Sequence, residues 1–194
     1  MRRYNARMTS PAHPDDAAVV TAVRHWLERA VIGLNLCPFA RAVYVRDQVR
    51  LAVSDGTDAR SVLSDLQAEL LSLADTDPQT VDTTLVIVPA ALHEFHDYTH
   101  CLADAERLLK RLKLRGIIQI ASFHPDYCFG DAEPEDIGNY TNRAPYPIFH
   151  LLREDSVARA VHAIPDPDDI VEANQRRLRE MGLDGWRRWM AGQG

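Results

Sequence analysis

Long apolar runs are missing from this chain. A membrane span needs roughly 18 consecutive apolar residues, and the longest run of that character covers only residues 85–92. No membrane segment is expected. Cysteine is scarce: three among 194 residues. An odd number, with no secretory signal at the start, does not build a disulfide framework, so the expected setting is reduced and cytoplasmic. Positive charge is not in surplus either. Twenty-two basic residues face 28 acidic ones, for a net charge of −6, which argues against nucleic acid and against anionic membranes as partners. Finally, there is no dinucleotide fingerprint, no phosphate loop and no nucleophile elbow. No cofactor is therefore expected, and no internal repeat or low-complexity tract is present.

What the chain does contain is 46% hydrophobic residues, enough for one buried core. Residues 1–14 carry three Arg and two Pro with little apolar content and are expected to form a mobile tail. A single domain is expected over residues 15–183, with residues 184–194 as a C-terminal tail that carries Trp186 and Trp189. The first helix should start at Asp15–Asp16, with Val20, Val23, Leu27, Ala30, Val31 and Leu34 inward. Alternation of Val43 and Val45, then of Val49, Leu51 and Val53, suggests a strand or hairpin. A helix over 58–74, a buried strand over 84–88, a helix over 92–113 and a second buried strand over 117–121 follow. The fold class is therefore α/β: a small central sheet of three to five strands, largely parallel or mixed, flanked by helices. Residues 148–152 fit a strand or a helical turn equally well. Asp166–Pro167–Asp168–Asp169 is a helix start, and that helix should end before Gly182.

Residues 123–146 differ from the rest. They hold several Gly and Pro with no sustained periodicity, yet Tyr127, Phe129, Tyr140 and Tyr146 are too aromatic for a solvated coil. A long loop of this kind is usually functional. It begins where a buried strand ends, the edge at which open α/β sheets gather ligands. His124 there can move protons or bind a metal. Asn139, Asn142 and Arg143 either satisfy loop backbone or converge on a polar, anionic ligand. Arg153 and Glu154 suggest a structural ion pair.

Cys37 precedes Pro38, a residue that favours the first helical position. A thiol at such a cap would be shifted toward thiolate. Ala40 stands where a dithiol motif would carry its second cysteine, so no dithiol cycle can run there. The bland alternative is a small buried hydrophobe. His93, His96 and His100 have metal-like spacing, but helical geometry puts them opposite the apolar stripe, beside Asp97, Asp104, Arg107 and Arg111.

The segments 33–40, 123–127 and 139–147, leading into His150–Leu151–Leu152–Arg153–Glu154, resemble in order a bacterial family catalogued as domain of unknown function 1415. The resemblance runs from about residue 18 to 180. It implies a compact bacterial cytosolic protein, carries no activity with it, and singles out Cys37, His124, Asn142 and Arg143 as motif members. Ala144 and Cys128 depart from the pattern, and the His93, His96 and His100 group lies outside it.

These readings combine into one expectation: a pocket at the strand ends, built from the 123–147 loop and the Cys37 turn. Cys37 would be the nucleophile, His124 the acid/base and Asp136 its orienting carboxylate. Asn139, Asn142, Arg143, Tyr127 and Tyr146 would hold a small polar or anionic substrate. The alternatives are a non-enzymatic module that binds a metabolite or protein, or a metal on Cys37 and His124 with Cys128 or His150. Oligomeric state is not legible.

Overall fold

Thr83–Ile87 forms β2, and every one of its side chains is buried. A strand with no wet side needs a layer on each face, and the rest of the chain supplies both. The computed structural model describes residues 15–130, 132–162 and 169–193. The expected tail at 1–14 and the helix start at 166–168 lie outside the described residues.

The elements are α1 (Asp16–Trp26) with a π-helical continuation (Leu27–Ile32), α2 (Ala40–Val45), β1 (Val49–Val53), α3 (Ala59–Asp75), β2, α4 (Phe95–Arg111), β3 (Ile118–Phe123), a 3-10 turn (Ile137–Thr141), β4 (Ile148–Arg153), α5 (Glu154–Val161) and α6 (Asp169–Met190). Four strands make one mixed sheet in the order β1-β2-β4-β3. β1 runs parallel to β2, and β4 runs antiparallel to both β2 and β3. The expected α/β class with a small helix-flanked sheet holds, in its mixed form. β2 and β3 point the same way, but β4 separates them. The ambiguous stretch at 148–152 thus becomes a central strand. Ile148, Phe149 and Leu151 are fully buried, and only a central position covers side chains on both faces of a strand.

The two faces have separate cores. On one, Val86, Ile118, Phe149 and Leu151 pack under α3 and α4 through Leu66, Leu70, Tyr98, Ala105 and Leu109. On the other, Leu85, Ile87 and Ile148 pack under α1, the π turn and α6 through Val19, Val23, Trp26, Ala30 and Leu178.

Local signals explain most boundaries. Asp15 caps α1, accepting from the Ala17 amide. Asp58 and Ser61 form a reciprocal capping box on α3. α4 is shorter than expected because Leu92 and Lys113 both have φ near +60° (58° and 60°) and stop the helix at each end. Residues 40–45 are helical rather than extended. The two-residue spacing of Val43 and Val45 is too short a run to fix a period, and Asp47 (φ 56°) turns the chain before β1 begins. Gly33 is required at the end of the π turn, since a Cβ there would collide with the Arg29 carbonyl oxygen.

Arg153 does not pair with Glu154. Its guanidinium, 9% exposed, donates to the carbonyls of Leu73, Thr76 and Val81 and so closes the C-terminal end of α3. Glu154 accepts the Gly116 amide instead. Gly182 (φ 67°, ψ 169°) interrupts α6, and the turns beyond it lie on the body. Trp186 is buried, Trp189 donates to the Arg29 carbonyl at 2.7 Å, and the Arg29 guanidinium stacks on the Trp189 ring.

Two substitutions separate satisfied from unsatisfied burial. Arg153→Met should lower stability by about 2–3 kcal/mol, because it orphans the α3 carbonyls. Thr84 is fully buried, and its hydroxyl has no hydrogen-bond partner among the described residues. Thr84→Val should leave stability unchanged or raise it by up to about 1 kcal/mol. Urea midpoints with unchanged slopes would check both.

Candidate functional site

Among the described residues of the 123–147 loop, the amides and the guanidinium singled out from the sequence bond to nearby backbone. Asn139 is fully buried; its Oδ1 accepts the Phe129 amide at 3.0 Å and its Nδ2 donates to the Glu133 carbonyl at 2.8 Å. Arg143 donates to the carbonyls of Tyr127 (3.2 Å) and Pro134 (2.7 Å) and lies over the Tyr140 ring. Asn142 donates to the Ser122 carbonyl and accepts the Thr141 hydroxyl. The expected anion clamp is therefore a loop staple. Asp136 does not orient His124. It accepts the Gly138 amide, which holds its carboxyl below the usual carboxylate range, and it lies 3.3 Å from the Arg179 guanidinium. Tyr127 packs on Phe95 and Phe129, and Tyr146 packs against the α1 and α6 core.

His124 is completely buried, against the rings of Tyr98 and Phe95 on the α4 side of the sheet. Its Nδ1 accepts the Asp126 amide at 3.0 Å, so its Nε2 carries the proton and donates to the Leu92 carbonyl at 3.0 Å. This holds Leu92 in its left-handed conformation. Burial pushes the His124 pKa down. Both ring nitrogens are occupied, and the imidazole has no free face for chemistry.

Cys37 lies on the opposite side, part-buried against the core under α1 and α6. It sits outside α2, which begins at Ala40. The Phe39 and Ala40 amides donate to its sulfur, yet burial outweighs them and pushes the thiol pKa up from its ordinary value. The expected shift toward thiolate is reversed, and the sheet separates Cys37 from His124. The Cys128 thiol has the carbonyls of Phe129 and Ala132 within reach as acceptors for its single proton. His96 and His100 stack on the exposed face of α4. Among the described residues, no three His, Cys, Asp or Glu side chains converge as metal ligands.

A cavity of about 880 Å³ lies on the Cys37 side of the sheet. Strand residues Leu85, Ala121, Phe123 and Leu152 floor it; Val31, Cys37 and Tyr44 wall one side, and Val157 and Ala160 of α5 the other. Polar groups interrupt this lining: the amides of Gln48, Gln79 and Gln119, and two hydrogen-bonded pairs. Thr83 and His150 meet on the floor, Oγ1 to Nε2, at 2.7 Å. Ser156 donates to Asp82 at 2.5 Å and accepts from Arg159. Arg46 and Arg159 are exposed lining residues, and neither makes an ion pair among the described residues. Burial pushes the His150 pKa down to about 4.

Of the residues singled out from the sequence as catalytic or substrate-binding, only Cys37 lines this cavity. Thr83, Asp82, Ser156, Arg159 and the placement of His150 were not foreseen. The usable signal was the alternation of His150 and Leu152, which puts both on one face once residues 148–153 are read as a strand.

The model of the family described as "Protein of unknown function (DUF1415)" matches residues 18–188. The chain belongs to that family. No curated protein and no solved structure matches the chain. Among the described residues no helix is long and apolar enough to cross a membrane.

The buried His124 and the half-buried His150 both have folded pKa values below the ordinary 6.5. Each therefore contributes stability that is complete above that value and is lost as pH falls, because the unfolded chain takes up the proton first. Stability should decline between about pH 6.5 and about pH 4, and less steeply in His150→Phe. Urea midpoints across that range would check it; an equally steep decline in the variant would assign the effect to other groups.

Proposed function

We propose that this protein binds a small amphipathic molecule in the cavity on the Cys37 side of the sheet. The apolar body of the ligand packs on Leu85, Ala121, Phe123 and Leu152, and an anionic group faces Arg46 and Arg159 at the rim. One observation carries this reading: a cavity of about 880 Å³ over the sheet with a largely apolar floor, whose rim carries Arg46 and Arg159, neither in an ion pair among the described residues, while the one lining carboxylate, Asp82, is taken by Ser156. That volume lies within the range of roughly 300–1,000 Å³ typical of small-molecule sites. The three cysteines are free thiols, which supports a reducing, cytoplasmic setting.

The test uses cis-parinaric acid, a fluorescent carboxylate with an apolar tail and no other polar group. Saturable binding with enhanced emission is expected, at an affinity that falls at least tenfold in Ala121→Trp, which fills the floor. Thermal melts and near-ultraviolet circular dichroism would confirm that the variant is folded. Non-saturable binding, or equal affinity in the filled variant, would overturn the reading.

Thiol catalysis is a second reading, favoured by one fact: Cys37 and His150 line the same cavity. The raised thiol pKa weighs against it, since the thiolate is the nucleophile. Iodoacetamide at neutral pH should alkylate Cys37 more slowly than free cysteine. A faster rate, lost in His150→Phe, would move the assignment to a thiol enzyme.

A further inference from the structure

We infer that His150 selects the buried end of the ligand: the cavity takes a molecule whose inner end donates a hydrogen bond, such as a phenol, alcohol or amide N–H, to the His150 Nδ1 atom. This rests on the cavity being a binding site and goes further, by naming the chemistry required at its floor.

The inference follows from counting protons. The Thr83 hydroxyl oxygen lies 2.7 Å from the Leu151 carbonyl oxygen and 2.7 Å from His150 Nε2. A carbonyl can only accept, and a hydroxyl has one proton. Thr83 therefore donates to Leu151, and its oxygen accepts from Nε2–H. A neutral imidazole carries one ring proton, so Nδ1 is left with a lone pair. Burial keeps the ring neutral at physiological pH. Nδ1 has no hydrogen-bond partner among the described residues. It is not sealed in protein either, because the buried, unpartnered side-chain atom there is Thr84 Oγ1 alone. Across the sheet His150 faces Leu85 on one side and Ala121 on the other, and neither side chain can donate. A fixed acceptor in an apolar, concave setting rewards a donor and repels a carboxylate. The ligand's charged end is thereby directed to the arginine rim and its donating end to the floor.

His150 differs in this from the polar side chains of the 123–147 loop that bond to backbone. Both nitrogens of His124 are occupied, and Asn139, Asn142 and Arg143 are occupied by loop carbonyls and amides.

A matched pair of probes tests the inference: 2-naphthol, whose hydroxyl donates, and 2-methoxynaphthalene, whose ether oxygen cannot. Each competes with cis-parinaric acid. Buried apolar area alone ranks the ether first. The inference ranks the naphthol first, effective at roughly tenfold lower concentration. In His150→Phe, which keeps the ring volume and leaves Thr83 donating to Leu151, the preference for naphthol over the ether, each measured against parinarate bound to that same variant, should vanish. Ether binding equal to or tighter than naphthol, displacement by neither, or an unchanged preference in the variant would overturn the inference. Absence of parinarate binding to the unaltered protein would instead overturn the cavity reading. A second measurement is independent of any ligand. Long-range ¹H–¹⁵N correlation of the histidine rings should show Nε2 protonated and Nδ1 bare for His150, and a proton on Nδ1 would refute the argument.

Discussion

A strand that no water touches organises this molecule. β2 is buried at all five positions, so one layer of helix must cover each of its faces, and strands must pair with both of its edges. β1 takes one edge in parallel and β4 the other antiparallel. From this follow two cores that share a sheet but not a surface. The α3 and α4 layer is closed by interdigitating Leu, Tyr and Phe side chains. On the other face the cavity opens between the sheet, the π turn, α2 and α5.

The treatment of polar groups divides along the same line. On the α4 side and in the long loop, every buried polar side chain that looked chemically promising has found backbone. Arg153 closes a helix end, His124 holds a left-handed leucine, and Asn139 and Arg143 tie the loop into a fixed shape. Such groups are costly to bury unpaired, and backbone carbonyls are the nearest acceptors. On the cavity side one imidazole is half satisfied, held by Thr83 at one nitrogen and open at the other. A residual hydrogen-bonding valence inside an apolar concavity is a stronger mark of a binding site than a motif of polar residues whose valences are all filled.

The Cys37 turn shows the same competition between local and tertiary effects. Two amides lower the thiol pKa, but packing beneath the π turn and α6 raises it further. Asn174 and Arg177 of α6 fix the turn by donating to the carbonyls of Leu36 and Leu34. The turn is thus held by a helix distant in sequence, and burial in the folded chain outweighs the local amides at its sulfur.

Composition, periodicity and capping were enough to establish the α/β class, the buried character of β2 and most of the inward face of α1, where Val19 and Trp26 rather than Val20 take the buried positions. These are nearest-neighbour and same-face properties, carried by residues three or four apart in helices and two apart in strands. The family resemblance was legible on the same terms, from contiguous blocks. The order of the sheet was not, because the type of residues 148–153 depends on what lies on either side of them, and their central place exists only once β2 and β3 flank them. That register alone brings His150 diagonally beside Thr83, and the thickness of sheet it completes puts Cys37 and His124 on opposite sides. Local chemistry named the polar residues. Long-range pairing determined which of them would be left with an open valence.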